Sequence, residues 1–398
     1  MFNPFAVSFG LDIGDRTFKM VQVVKKRGRI PKYRLVSWGS IDVPEGVMDK
    51  GDVKDMPKAV ECLQKLIKES HGRGVGHAAV ACLPEAKTFI KIIDVPRGAD
   101  HDAQRKEVIS EIERNIPLPL DEIYFDWQVV ESAAIPEPAP VVAAPAPAAT
   151  DPAAAEDATP AEQPAAAPVP TAPQTMQVLL GAAPKKLADD YTAMLEKAGL
   201  SPLALEIEAM SIGRAIVPDS ARTDEAVGIL DIGATRSSLV ISDNGALRMS
   251  ISIPISGIAI TEMVSESLNV SMDDAEKLKR ECGLDIDRCE DRMWKILLPL
   301  IDDMSEKVRN ALRFYRLGFP EGKKIETIYL CGGGAQFHGI DTVLSRKLAI
   351  KVRRGDALAN LTGPFPHGFS VEESLQYATA IGLGIRAADD GGMVNDVL

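Results

Sequence analysis

The chain contains no run approaching eighteen apolar residues and no charged-then-apolar opening segment. No spanning helix is therefore expected, and any membrane contact should be peripheral, through a partner. Its five cysteines, Cys62, Cys82, Cys282, Cys289 and Cys331, form no CxxC pair and have only five histidines for company. That excludes a compact zinc site and predicts reduced, buried thiols in a cytosolic protein. Positive charge is also in deficit: 45 Lys and Arg against 57 Asp and Glu leave a net charge of -12, which excludes wholesale binding to nucleic acid. One local exception is "VVKKRGRIPKYR", where Lys25, Lys26, Arg27, Arg29, Lys32 and Arg34 occur with no acid. It reads either as a solvated hairpin turn after an N-terminal strand or as a contact for anionic lipid.

What is present is a globular composition, 45% hydrophobic over 398 residues, enough for two or more cores. The patterning has an α/β rhythm. Strands are expected up to Asp12, from Thr17 to Val24, from Gly76 to Leu83 and over Ile90 to Pro96, with helices at Val53 to Ser70, Ala99 to Asn115 and Lys185 to Ala198, the last stopped by Gly199. Residues 258–317 are expected to be mainly helical, and a last helix falls near Glu372 to Ala387. Between Pro136 and Pro173 the pattern breaks, with 11 Pro and 15 Ala in 38 residues. Such a stretch cannot pack a core. Its flanks, "DEIYFDWQVVES" and "TMQVLLGAAPKK", both read as strands, which suggests an overgrown loop between antiparallel neighbours; an interdomain linker is the alternative.

The chemistry centres on a repeated unit. "GLDIGDRTFK" and "VGILDIGATRSSLV" share Asp-Ile-Gly, with Asp12 and Asp231 leaving an apolar strand and Gly14 and Gly233 opening a tight turn. A strand resumes within a few residues in each copy, which is unlike the strand, glycine loop and helix of a dinucleotide or Walker-type site, and GxxxxGK[ST] is absent. Turn amides can point at an anion, and a carboxylate beside polyphosphate can hold a divalent cation directly or through water. A single such unit could be an ordinary turn; two in matching context point to phosphate hairpins closing on a nucleotide from both sides. "YLCGGGA" adds Gly332, Gly333 and Gly334, where a flat ligand could lie against backbone or the chain could simply bend. "DDAEKLKRECG" places Glu276 and Lys279 on one helical face, ordinarily a solvated pair.

The order of these features resembles the superfamily of actin, sugar kinases and heat-shock ATPases, and the whole chain apart from the Ala/Pro insertion resembles the PilM family, the FtsA-like proteins of type IV pilus assembly. The resemblance rests on "SFGLDIGDRTFKMVQV", "EVISEIERNIPLPLDEIYFDWQVV", "QVLLGAAPKKLADDYTAMLEKAGL", "PLALEIEAMSIGRA", "AEKLKRECG" and "YLCGGGAQFHGI". The resemblance implies an α/β, actin-like ATPase fold with two RNase H-like lobes around a nucleotide cleft and an extra FtsA-like small domain. Lobe one would comprise 1–83, 185–223 and 372–390, the small domain 84–184, lobe two 224–257 and 318–371, and a helical subdomain 258–317. ATP and Mg²⁺ are the implied cofactors. Asp12 would stand near Mg²⁺ or its waters behind the Gly14 turn, Lys19 would reach the phosphates, and Asp231, Gly233 and Ala234 would meet them from the other side. Glu276 and Lys279 would flank ribose and adenine, and Gly332, Gly333 and Gly334 would back the base. One departure is Asp15, where the family usually has a hydroxyl: a second carboxylate beside phosphate costs energy unless Mg²⁺ or Lys19 compensates or the side chain turns away. At most slow hydrolysis follows.

The resemblance further implies a cytoplasmic scaffold at the inner face of the inner membrane that recruits the N-terminal peptide of PilN, with self-association left open. The helix "AQRKEVISEIERNI" is expected to pack Val108, Ile109, Ile112 and Ile116 beside the first lobe. Two other functions compete. A cell-division adaptor of the FtsA type would carry a C-terminal amphipathic membrane helix, whereas this chain ends "DDGGMVNDVL". A small-molecule kinase would need a general base that the sequence does not display.

Overall fold

A computed structural model describes residues 8–26, 32–72, 75–96, 100–130, 175–219, 225–285, 288–289, 291–366 and 369–389. The first lobe opens with strands β1 (Phe9–Ile13), β2 (Thr17–Lys26) and β3 (Lys32–Asp42), a two-strand turn of β4 (Met48–Asp49) and β5 (Asp52–Val53), helix α1 (Met56–Glu69), and strands β6 (His71–Gly72) and β7 (Ala78–Leu83). A small domain follows, made of β8 (Phe89–Pro96), α2 (His101–Asn115), β9 (Ile123–Val130) and β10 (Thr175–Pro184). The chain then continues through α3 (Lys185–Lys197), β11 (Ser201–Ile207) and α4 (Glu208–Ile216). The second lobe contains β12 (Ala226–Ile232), β13 (Ser237–Asp243), β14 (Ala246–Ile253), α5 (Gly257–Leu268), α6 (Met272–Cys282), α7 (Arg292–Gly318), β15 (Thr327–Cys331), α8 (Ile340–Leu348) and β16 (Lys351–Arg354). Helices α9 (Val371–Ser374) and α10 (Ala378–Asp389) return to the first lobe.

The two large sheets have the same plan. One runs β11-β7-β1-β2-β3-β6 and the other β14-β13-β12-β15-β16, each with an antiparallel three-strand meander extended by parallel strands. By position in the two sheets β12 answers β1, β13 answers β2 and β15 answers β7. The duplicated Asp-Ile-Gly is thus the sequence trace of a duplicated sheet.

The lobes meet at α4 and α10. On α4 the apolar residues Ala209, Ile212, Ala215 and Ile216 share one face and are buried in the largest core, which continues into Ile381 and Ile385 of α10 and Val21 and Val23 of β2. Each fully buried branched side chain contributes about 1.5–3 kcal/mol. Approach is close because glycines line it: a Cβ at Gly382 would lie 1.9 Å from Ser211 O, and one at Gly10 would lie 2.3 Å from Gly384 N. Buried Glu206 on β11 fastens the joint, accepting from Arg214 of α4 at 2.6 Å and facing Arg386 of α10 at 3.3 Å.

In the small domain β10 is central, antiparallel to both β8 and β9. The Ala/Pro segment lies outside the described residues, but its flanks β9 and β10 are direct partners, with Val130 opposite Gln177. It is inserted between neighbouring strands, and the interdomain-linker alternative falls. The expectation for α2 is corrected: Val108, Ile112 and Ile116 pack on Ile93, Val95, Val178 and Leu180 of the domain's own sheet rather than on the first lobe, because the alternating inner face of β8 and β10 is the nearest apolar surface. The cysteine expectation is corrected as well. Cys62, Cys82 and Cys331 are free and buried, but Cys282 and Cys289 form a disulfide with Cα atoms 5.4 Å apart. Left-handed Gly283 (φ 63) ends α6 there and Leu284 N–H donates to His338 O at 2.7 Å, folding the chain back so that the two thiols meet.

Candidate functional site

The two hairpins match in detail. Asp12 pairs in register with Lys19 across β1 and β2, and the Lys19 ammonium stands 3.6 Å from its carboxylate. Gly14 N–H donates to Thr17 O at 3.1 Å, and Gly233 N–H donates to Arg236 O at 2.9 Å. A Cβ at either glycine would press on that same carbonyl, at 2.9 and 2.7 Å, so the turn requires glycine. The correspondence extends to the adjoining strands. Cys82 on β7 points its thiol at Asp12 (3.7 Å) and Cys331 on β15 points its thiol at Asp231 (3.6 Å). Burial raises both thiols well above their usual range, with the neighbouring aspartate adding to it, so they stay neutral donors.

Carboxylates converge between the hairpins. Burial, then the charge of Asp12, pushes Asp231 up to about 6. Glu208, at the first turn of α4, is raised well above the usual range by burial and by Asp231 and Asp12. Such a group demands compensation, which Lys19 and Arg236 supply in part. Among the described residues no three His, Cys, Asp or Glu side chains form a metal-holding cluster, so a divalent cation here would need phosphate or water to complete its shell.

Glu276 and Lys279 come together at 2.5 Å, and Lys279 also donates to Gly257 O (3.0 Å) and to Thr261 Oγ1 (2.9 Å). Burial raises Glu276, but donation from Lys279, Thr261 and Arg280 outweighs it and leaves its carboxylate below the usual range. Gly257 N–H and Ile258 N–H donate to Gly233 O and Ala234 O, both at 2.9 Å, which ties this pair to the second hairpin, whose Ala234 is exposed. The glycine run divides by role. A Cβ at Gly332 (φ 78) would lie 2.2 Å from Asp231 Oδ1 and one at Gly334 would lie 2.2 Å from Ile232 Cγ2, whereas one at Gly333 would meet nothing within 4 Å. Gly332 and Gly334 are small because β12 is close; Gly333 alone presents open backbone.

Sequence reasoning passed over Glu208, Arg236, Cys82 and Cys331, and over a cavity of 520 Å³ where the small domain meets α4 and the β13–β14 turn. The cavity is lined by Gln128, Val130, Leu179, Met210, Gly213 and Leu247 among others. It lies on the face of the small sheet opposite α2, since Leu179 alternates with Val178 and Leu180, which pack on that helix. Lobe two closes on the same domain through Arg248 to Gln177 (3.1 Å) and Ser250 to buried Glu85 (2.5 Å).

Two duplicated sheets facing each other through acidic hairpins, with a third sheet inserted into the first, define an actin-like ATPase fold carrying an FtsA-like small domain. The chain belongs to the family of type IV pilus assembly protein PilM, which it matches over residues 10–147 and 164–388. It is similar in fold to a solved PilM-PilN type IV pilus biogenesis complex, with TM-score 0.74 and 22% identity over 96% of this chain and 98% of that one. Ethanolamine utilization protein EutJ from Carboxydothermus hydrogenoformans follows at TM-score 0.51 and 14% identity, covering 95% of this chain and 88% of that chain. By sequence it is 27% identical over 180 residues to cell division protein FtsA of Neisseria meningitidis serogroup B (strain ATCC BAA-335 / MC58), a match covering 40% of this chain and 43% of that relative's length. Among the described residues no helix is long and apolar enough to cross a membrane.

Proposed function

We propose that this protein is an ATP-binding cytoplasmic scaffold of type IV pilus assembly, held at the inner face of the inner membrane by gripping the N-terminal peptide of PilN. The observation that carries the reading is the inserted three-stranded domain whose second face, against α4 and lobe two, encloses the 520 Å³ cavity. An extended peptide suits such a site, since leucine side chains can enter apolar space between Val130, Leu179, Met210 and Leu247 while polar main chain stays near Gln128. In this reading 1–83, 185–223 and 372–390 make lobe one, 84–184 the small domain, 224–257 and 318–371 lobe two, and 258–317 the helical subdomain.

The cleft is assigned to Mg²⁺ and ATP on the same footing. Asp12 and Asp231 would hold the cation through water, which neutralises the phosphates when bound, and their mutual repulsion favours that occupant. Lys19 and the turns at Gly14, Gly233 and Ala234 would meet the phosphates, Glu276 and Lys279 the ribose and base, and Gly333, between Gly332 and Gly334, would back the base. Fluorescence anisotropy with a labelled PilN N-terminal peptide, without its transmembrane segment, tests the scaffold reading: saturable binding by the full chain is expected, with loss on a leucine-to-serine peptide. Equal binding of the two peptides contradicts it.

A further inference from the structure

Asp15 breaks the symmetry of the hairpins, since the matching turn position in the second copy is Ala234. Its carboxylate does not turn out to solvent; it is 7% exposed and spans the cleft. One oxygen accepts from Gly51 N–H at 2.8 Å, within lobe one. The other accepts from the Thr235 hydroxyl at 2.8 Å and faces the Arg236 guanidinium at 3.6 Å, both on the second hairpin. An amide, a hydroxyl and a guanidinium converging on one anion are the donors that a phosphate oxygen takes in such clefts.

We propose that Asp15 is a cross-cleft latch, an internal carboxylate that occupies phosphate-binding donors, joins the two hairpins, and has to be displaced by the phosphates of an incoming nucleotide. The inference rests on the nucleotide reading above. Like charges cannot share Arg236 without cost, so phosphate and Asp15 compete for it. The latch also has a far end. Gly51 has φ 84, its carbonyl accepts from the buried Tyr191 hydroxyl at 3.0 Å, and a Cβ there would lie 2.5 Å from Pro84 Cγ. Pro84 precedes Glu85, which binds Ser250 of lobe two. Release of Asp15 therefore loosens the β4–β5 turn, which packs against the beginning of the small domain.

The experiment is titration of the full chain with Mg·ATP by calorimetry, together with hydrogen exchange of the peptide covering residues 47–53, in the wild type, Asp15→Ser and Asp15→Asn. Asp15→Ser should bind Mg·ATP about tenfold more tightly, with Asp15→Asn between, because repulsion of phosphate is removed. Exchange over 47–53 should rise on adding Mg·ATP to the wild type and be raised beforehand in Asp15→Ser. Unchanged exchange in Asp15→Ser overturns the latch whatever the nucleotide does. A raised exchange with no tighter binding overturns the competition. If none of the three proteins binds Mg·ATP while exchange is raised in Asp15→Ser, the nucleotide reading fails and the displacement mechanism with it, leaving only a structural bridge.

Discussion

Asp231 keeps an ionisable carboxyl where ionisation is costly. Its value in the folded protein, about 6, lies above that of an unfolded aspartate, so the folded state binds more protons between about pH 4 and 6. Stability from this group is therefore greatest below about pH 4, falls as pH rises to 6, and is flat beyond. Asp231→Asn should melt higher than the wild type at pH 7.5 and lose that advantage by pH 4, which thermal denaturation at the two pH values checks. The same protonation should oppose the cation. Between pH 7.5 and 5.5 the Mg²⁺-dependent part of ATP affinity should fall about fourfold in the wild type through this single group, and less in Asp231→Asn. At this scale the sequence was informative where residue type and spacing coincide, as at Asp12, Gly14, Lys19 and Asp231. Glu208 was silent because its partners come from β1 and β12, far away in the chain. Cys82 and Cys331 could have been read: Cys331 ends an apolar strand at a Gly turn and Cys82 stands one residue before the end of another that meets Pro84, so the repeat runs beyond Asp-Ile-Gly into "ACLPE" and "YLCGG".

Two helical glycines on touching elements should respond oppositely. Gly382 of α10 lies so close to α4 that Gly382→Ala drives a Cβ to 1.9 Å from Ser211 O, and a loss of about 1–3 kcal/mol is expected from overpacking. Gly213 of α4 has nothing within 4 Å of the added Cβ, so Gly213→Ala should gain about 0.5–1 kcal/mol through helix propensity. Urea denaturation of both variants measures the contrast. Periodicity located α1 and α3 because each has a clear apolar stripe, and α2 through the narrower row of Val108, Ile112 and Ile116, while Gly199 marked the end of α3 through its left-handed backbone (φ 82). It could not say which surface a stripe meets. For α2 the partner was its own sheet, a choice made by strand pairing across β8, β10 and β9.

For the molecule as a whole, the β9–β10 pairing separates the Ala/Pro insertion from the fold it interrupts. Deleting Val141 to Val169 shortens the connection about threefold, which lowers its closure cost by ~1 kcal/mol. The melting temperature should hold or rise by a few degrees, and a drop above about 10 °C in calorimetry would mean the segment packs on the body. The two-lobe plan was legible because duplication leaves a motif in each half; the disulfide and the cavity were not, since both depend on where α4, α6 and the small domain settle after the chain has folded. In the proposed reading the inserted domain makes this actin-like body a peptide receptor, and Gly213 probes that role, because its open side faces the cavity and tolerates a side chain without backbone strain. Anisotropy of a labelled PilN N-terminal peptide with wild type and Gly213→Leu is the direct measurement. Saturable binding to the wild type is expected, with at least about tenfold weaker binding to Gly213→Leu while its melting temperature holds or rises, the loss expected when a filled pocket excludes one anchor. Equal affinity for the two proteins would place the peptide elsewhere and contradict a receptor role for the cavity.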